Sequence, residues 1–253
     1  MSRKIRFEKE EDRYRIILAD PPLHILDTAL LLELREAVER VEPDRPLLLI
    51  EAEGERAFSA GASVQDHLGE RVGPMLDAFH GALRALHRLD LVSVAKVRGL
   101  CLGGGCELAM ACDFVLASDG ARFGQPEIAL GVFPPVAVWQ LGRLTSPRKG
   151  LEMILTGDPI PAEEAARLGM VNAVFAEEEL DEKSEQWLSR LLRHSSSSLR
   201  LAKKAFRLAS AGDFEERLAE VERFYLEELM RTDDATEGLV AFLEKRSPEW
   251  KGK

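Results

Sequence analysis

A run of three glycines, Gly103–Gly105, constrains this chain more than any other feature of its sequence. An apolar, β-branched run at residues 92–97 precedes the glycines, and a short helical pattern around Leu108 follows them. Glycines between a strand and a helix let backbone N–H groups approach a ligand, because no Cβ stands in the way. The pattern therefore predicts a strand–turn–helix unit whose turn exposes amide donors.

Two glutamates accompany this turn. Glu107 falls in the first turn of the predicted helix, and Glu127 follows a Gly-Gln-Pro turn after a second apolar run at residues 114–117. A single glutamate in a first helical turn is usually a partner for the helix dipole, and a turn residue is often on the surface. Two carboxylates beside an exposed amide donor can instead form an acid/base site with an oxyanion hole.

Three motifs follow one another along the chain: A-F-S-A-G-A at residues 57–62, G-G-G-C-E-L-A at 103–109 and F-G-Q-P-E-I at 123–128. Their order and spacing resemble the enoyl-CoA hydratase/isomerase family, also called the crotonase family, and the similarity extends over nearly the whole chain. The resemblance implies an α/β fold, a crotonase-like ββα spiral with a helical C-terminal region. It divides the chain into a spiral core, residues 1–195, and a helical region, residues 196–253, for trimerisation and for covering the coenzyme A site.

The resemblance also implies a chemistry, the addition of water across the C=C bond of an α,β-unsaturated acyl-CoA thioester. The backbone amides of Ala62 and Gly104 would hold the thioester oxygen, Glu107 would help to activate water, and Glu127 would deliver a proton to the α carbon. No cofactor is expected, since coenzyme A is part of the substrate. Further substrate contacts are expected from the first motif, from the loops near the motifs, and from basic and C-terminal positions. These residues are Ala60, His67, Phe133, Pro135, Arg56, Phe242 and Lys245.

One segment departs from many hydratases of this family. Where they have a glycine-rich loop, this chain reads G-V-F-P-P-V-A at residues 131–137, and Pro135 replaces a glycine whose amide helps to hold the catalytic water in relatives. Proline has no N–H, so we expect the water or the substrate to be placed differently. The segment is similar to that of hydratases acting on cyclic dienoyl-CoA thioesters in aromatic degradation, such as cyclohexa-1,5-diene-1-carbonyl-CoA. A stiff double-proline wall suits a compact ring better than a flexible acyl chain.

Two other functions stay open. A double-bond isomerase could manage with one carboxylate, although the presence of both Glu107 and Glu127 favours hydration. A non-catalytic binding protein could use the same fold. Two nucleotide-binding motifs do not match, because the dinucleotide fingerprint needs a third glycine where Leu108 stands and the phosphate-loop motif needs Gly-Lys-Ser/Thr.

The composition disfavours several classes of protein. A formal net charge of −10 argues against a nucleic-acid binder, which would need basic patches to neutralise phosphates. No run approaches the roughly 20 apolar residues of a membrane span, and the charged first residues do not resemble a signal peptide. Three cysteines, Cys101, Cys106 and Cys112, lack a neighbouring histidine and are typical of buried thiols rather than of a zinc site. We expect a cytoplasmic protein without a metal.

Hydrophobic periodicity predicts most of the elements. Residues 4–19 indicate a hairpin, and the alternation of strands and helices that follows argues for an α/β architecture. A helix should begin at Asp27 or Thr28, and another at Pro74. Ser195–Ser198 is interpreted as a linker. A helix is predicted at residues 147–157, with Ser146 as its cap and Gly157 as its stop. Further helices are predicted at residues 161–168, 181–192, 199–209, 214–229 and 236–245. Family resemblance implies a homotrimer, or a hexamer made of two trimers.

Overall fold

The computed structural model describes residues 3–209, 227–228 and 231–253. Its strands are β1 (Ile5–Lys9), β2 (Arg13–Leu18), β3 (Leu47–Ala52), β4 (Ala57–Ser59), β5 (Val92–Val97), β6 (Leu100–Leu102), β7 (Phe114–Ser118), β8 (Arg122–Gly124), β9 (Ile160–Pro161) and β10 (Ala173–Phe175). Its helices are α1 (Thr28–Glu39), α2 (Val72–Arg88), α3 (Gly104–Ala111), α4 (Pro135–Leu144), α5 (Pro147–Thr156), α6 (Ala162–Leu168), α7 (Leu180–Leu192), α8 (Ser196–Ala209) and α9 (Asp233–Glu244).

These strands form two sheets. The larger sheet has the order β1-β2-β3-β5-β7-β10, and the smaller sheet has the order β4-β6-β8-β9. Only the β1–β2 and β8–β9 pairs are antiparallel within these sheets. Strands β3, β5 and β7 of the larger sheet are each followed directly by a strand of the smaller sheet. The chain therefore winds in successive ββα turns, and the predicted α/β spiral fold with C-terminal helices is confirmed.

Several predicted caps are present. The Asp27 carboxylate accepts the N–H of Leu30 at 2.8 Å and so begins α1. Ser146 caps α5, and Gly157 ends that helix in the left-handed region with a φ of 73°. The opening hairpin is present as predicted, and α2 begins two residues before Pro74. The helix predicted over residues 214–229 lies outside the described residues, apart from positions 227 and 228.

The prediction of a serine linker is wrong. Helix α8 begins at Ser196, and the Ser195 hydroxyl accepts the N–H of Ser198 at 3.2 Å. The same hydroxyl lies 2.5 Å from a carboxylate oxygen of Asp234, a buried residue of α9. Because serine is a preferred helix cap, this run begins α8 shortly after the end of α7 and does not form a linker between them.

One hydrophobic cluster packs α1 and α2 against side chains of β2, β3 and β5, and a second packs Trp187 and Leu188 of α7 against β3, β5 and β7. Cys101, Cys106 and Cys112 are buried and free, as predicted. Burial raises the pKa of the Cys112 thiol well above its usual range. In the ranges described above, no helix combines the length and the apolar character needed to cross a membrane.

Candidate active site

A cavity of about 240 Å³ lies where the start of α3 meets the loops that follow β4 and β8. Glu107, Glu127, Ala62 and Gly104 all line it, although they come from three separate segments. Four of the expected substrate contacts line it too, namely Ala60, His67, Phe133 and Pro135. A larger groove of about 850 Å³ between α2 and α4 shares only Pro135 with this cavity and has no carboxylate in its lining.

The segment Ala60–Ser63 leaves one backbone amide unused. Three of its four N–H groups, those of Ala60, Gly61 and Ser63, donate to the Leu23 carbonyl, the Ser59 hydroxyl and the Leu26 carbonyl at 2.9, 3.1 and 3.2 Å. The N–H of Ala62 donates to no acceptor in the described part of the chain. Since buried backbone donors are rarely left unpaired, this amide is available to a ligand.

The glycine turn presents a second amide. Gly103 has a φ of 52°, which side chains rarely tolerate, and its own N–H donates to the Gly124 carbonyl at 2.9 Å. Gly104 is the first residue of α3, where an N–H has no partner within the helix, and it also donates to none of the described residues. A Cβ placed on Gly104 would lie 3.4 Å from the Ala62 nitrogen. The two unused amides are therefore neighbours.

Glu107 lies in the first turn of α3, but its carboxylate caps a different helix. Its Oε1 accepts the N–H groups of Val136 and Ala137, at 2.8 and 2.7 Å, in the first turn of α4. Pro135, which has no N–H to give, occupies the first position of α4, where the N–H would be unpaired in any case. Hydrophobic periodicity did not predict this helix, although a proline at a helix start was the available signal.

Burial sets the protonation of Glu107. The residue is only 3% exposed, and burial raises the pKa of its carboxyl to about 7. The nearby Glu127 carboxylate raises this pKa further, while the two N–H donors from α4 lower it. A carboxyl that titrates near pH 7 can both accept and release a proton under physiological conditions.

This pKa predicts a pH-dependent stability. Between the unfolded value near 4.5 and the folded value of about 7, folding must keep a proton that the unfolded chain releases, so stability falls as pH rises through this window. We expect wild type to lose about 3 kcal/mol of unfolding free energy relative to Glu107→Gln from pH 4.5 to 7. Glutamine can keep the bonds from α4 and does not titrate. Urea unfolding of both proteins across this range measures the difference; parallel curves would contradict the assignment.

Glu127 follows β8 in a 3-10 turn, Pro126–Leu130. Its Oε2 is buried without a hydrogen-bond partner among the described residues, and a Cβ on Gly103 would come within 2.5 Å of its Oε1. Burial raises the pKa of Glu127, and the charge of His67 acts to lower it. Glycine at position 103 thus leaves room for this carboxylate, which faces the same cavity as Glu107.

Two of the remaining predicted contacts, Arg56 and Lys245, do not line the cavity. Arg56 is exposed just before β4, and Lys245 is exposed just after α9 with a φ of 56°. The side chain of Phe242, within α9, lies outside the described part of the chain. Their roles toward coenzyme A stay predictions. Several apolar residues that line the cavity were not predicted from the sequence. Two of them, Met75 and Phe79, share a face of the predicted helix α2 and could have been found from that spacing.

The sequence matches the model of the family described as enoyl-CoA hydratase/isomerase over residues 8–253. The chain belongs to this family. It is 37% identical to cyclohexa-1,5-dienecarbonyl-CoA hydratase of Thauera aromatica, over 99% of this chain and 97% of that protein. It is 36% identical to crotonyl-CoA hydratase of Syntrophomonas wolfei subsp. wolfei, over 98% of each. The crystal structure of enoyl-CoA hydratase from Bacillus anthracis has a TM-score of 0.92 at 30% identity, covering 99% of this chain and 100% of that one.

Membership of the enoyl-CoA hydratase/isomerase family agrees with the cavity, because the three motifs that carry the resemblance supply its amides and carboxylates. Position 62 comes from the first motif, positions 104 and 107 from the second, and position 127 from the third. Among the described residues, no cluster of three or more His, Cys, Asp or Glu side chains is placed to hold a metal ion.

Proposed function

We propose that this protein is a hydro-lyase that adds water across the C=C bond of an α,β-unsaturated acyl-CoA thioester. The observation that carries the proposal is the meeting of two unused amides and two glutamates at one cavity. Hydratases among the similar proteins support the same reaction. The test is to mix the purified protein with an unsaturated acyl-CoA thioester and to measure hydration as the loss of absorbance of the conjugated double bond.

We assign a role to each group from its place in the cavity. The N–H groups of Ala62 and Gly104 hold the thioester oxygen as it gains negative charge, which stabilises an enolate by several kcal/mol. The other oxygen of Glu107, Oε2, takes a proton from the attacking water, because Oε1 is engaged by α4. Glu127 then gives its proton to the α carbon. Since Pro135 offers no amide, the water is held by carboxylate oxygens.

Isomerisation is the less favoured alternative. Moving a double bond needs one carboxylate to carry a proton between two carbons, whereas hydration needs a base for water and an acid for carbon. Both Glu107 and Glu127 line the cavity with raised pKa values, so the pair can hold the one proton that hydration needs. A non-catalytic role is likewise disfavoured, because both acids are present and line the cavity.

A cyclic dienoyl thioester is the substrate that we propose. Phe133, Pro134 and Pro135 form one wall of the cavity, and the capping of α4 by Glu107 fixes that wall. A fixed, compact wall favours a ring over a flexible chain. The similarity to a cyclohexa-1,5-dienecarbonyl-CoA hydratase supports this choice.

We expect kcat/KM for cyclohexa-1,5-diene-1-carbonyl-CoA to exceed that for crotonyl-CoA by about 10–200-fold, the discrimination typical of apolar pocket fit. Steady-state rates with both thioesters measure the ratio. Pro135→Gly should reduce it by loosening the wall, and Leu32→Ala, at an exposed site on α1, should leave it unchanged. A preference for crotonyl-CoA would overturn the ring assignment and leave the hydratase assignment in place.

We also propose a homotrimer, or a hexamer of two trimers, located in the cytoplasm. Large apolar side chains are exposed on α4 and α5, namely Val138, Trp139, Leu151 and Leu155, and contact with another subunit would cover them. The division into a spiral core, residues 1–195, and a helical region, residues 196–253, is part of this proposal. Light scattering on the purified protein measures its mass.

A further inference from the structure

His67 is the one polar side chain besides the two glutamates in the described lining of the cavity. It lies half-buried in a short 3-10 turn, Gln65–His67, so it touches both solvent and the cavity. The hydration steps proposed for Glu107 and Glu127 do not include a role for His67.

The imidazole is held in a defined orientation. The Asp66 carboxylate accepts both the backbone N–H and the hydroxyl of Thr28 at 3.1 Å, which ties this turn to the start of α1. The Nδ1 of His67 lies 2.8 Å from the Ser63 carbonyl. A carbonyl only accepts, so Nδ1 carries the hydrogen and Nε2 is left to exchange a proton.

Hydration leaves the two glutamates with the wrong protonation for a second turnover. Glu107 ends with the proton from water, and Glu127 ends without the proton that it gave to the α carbon. The Oε2 of Glu127 is buried away from solvent and has no partner among the described residues, so a returning proton needs a neighbour to deliver it. His67 lines the same cavity, and its charge acts on Glu127.

We propose that His67 returns the proton to Glu127 after each turnover, through a water molecule in the cavity. The Nε2–H of the imidazolium gives its proton through that water to the Glu127 carboxylate. Once the product leaves, Nε2 takes up the extra proton of Glu107 through cavity water, because Glu107 is itself buried and has no direct route to solvent. The cycle therefore neither gains nor loses protons overall. This inference rests on the proposed hydration and adds a catalytic step to it.

The test separates the first turnover from later ones. In His67→Ala, enzyme that is equilibrated before mixing already carries the Glu127 proton, so a single turnover with enzyme in excess should run within about twofold of wild type. With substrate in excess, kcat should fall by about 10–100-fold, the lower part of the range for a lost proton-transfer group. Added imidazole should restore most of the lost rate by occupying the space left by the side chain. The substrate used is cyclohexa-1,5-diene-1-carbonyl-CoA or crotonyl-CoA, whichever the wild-type protein hydrates faster.

Two variants serve as controls. His67→Gln keeps a polar side chain that does not titrate and fills the space, so it should show the same loss of kcat without rescue by imidazole. His87→Gln, at an exposed histidine near the end of α2, should behave as wild type. Equal slowing of first and later turnovers, an unchanged kcat, or no response to imidazole would overturn the proposal. Failure of wild type to hydrate either thioester would instead count against the proposed function.

Discussion

Replacing Glu127 with glutamine should lower kcat for hydration by about 10²–10⁴-fold while KM changes little, because the amide cannot deliver a proton to the α carbon. The substitution removes one acid without changing the size of the side chain. Glu127 faces the cavity with its Oε2 unpaired, so its loss breaks no hydrogen bond of that atom within the described structure. Steady-state kinetics with the preferred thioester measures both constants, and Glu178→Gln, at an exposed acid after β10, is the matched control.

The companion variant, Glu107→Gln, distinguishes hydration from isomerisation. Its side-chain oxygen can still accept the N–H groups of Val136 and Ala137, so α4 and the cavity wall should stay in place. Hydration requires this residue to take a proton from water, and we expect a similar fall in kcat. An isomerase that works with a single acid would be identified if Glu107→Gln kept full double-bond isomerase activity while Glu127→Gln lost it.

An amide-to-ester replacement at Ala62 should lower kcat by about 10²–10³-fold, equal to about 2.7–4 kcal/mol of transition-state stabilisation. Introducing lactic acid at this position exchanges the N–H for an oxygen and keeps the methyl side chain. The N–H of Ala62 has no partner in the described structure, so the loss should fall on the oxyanion rather than on the fold. Stopped-flow hydration assays on the semisynthetic protein measure the effect.

An ester that removes the N–H of Ser63 is the matched control. This neighbouring amide donates to the Leu26 carbonyl at 3.2 Å, so its removal should cost about 0.5–1.5 kcal/mol of stability and leave kcat nearly unchanged. If both esters reduced kcat equally, the effect would be one of loop structure, and Ala62 would lose its assigned role.

The local features of this fold could be predicted from the sequence because their causes are local. The capped start of α1 at Asp27 and the glycine end of α5 at Gly157 are set by side chains within a few residues of the element. Hydrophobic periodicity places strands and helices for the same reason. Local signals failed where a polar run fits either a linker or a helix cap, as at Ser195, whose hydroxyl caps α8.

By itself, the amino-acid sequence determined the family, the glycine turn and the pair of glutamates, since each of these is written in contiguous motifs. Only the tertiary structure decided that Glu107 caps α4, a contact across 29 and 30 residues that leaves no periodic trace in the chain. The structure also decided which amides stay free, because a free N–H at Ala62 depends on where every neighbouring donor finds its acceptor. Long-range hydrogen bonding and burial, which no local pattern encodes, turn these motifs into a site.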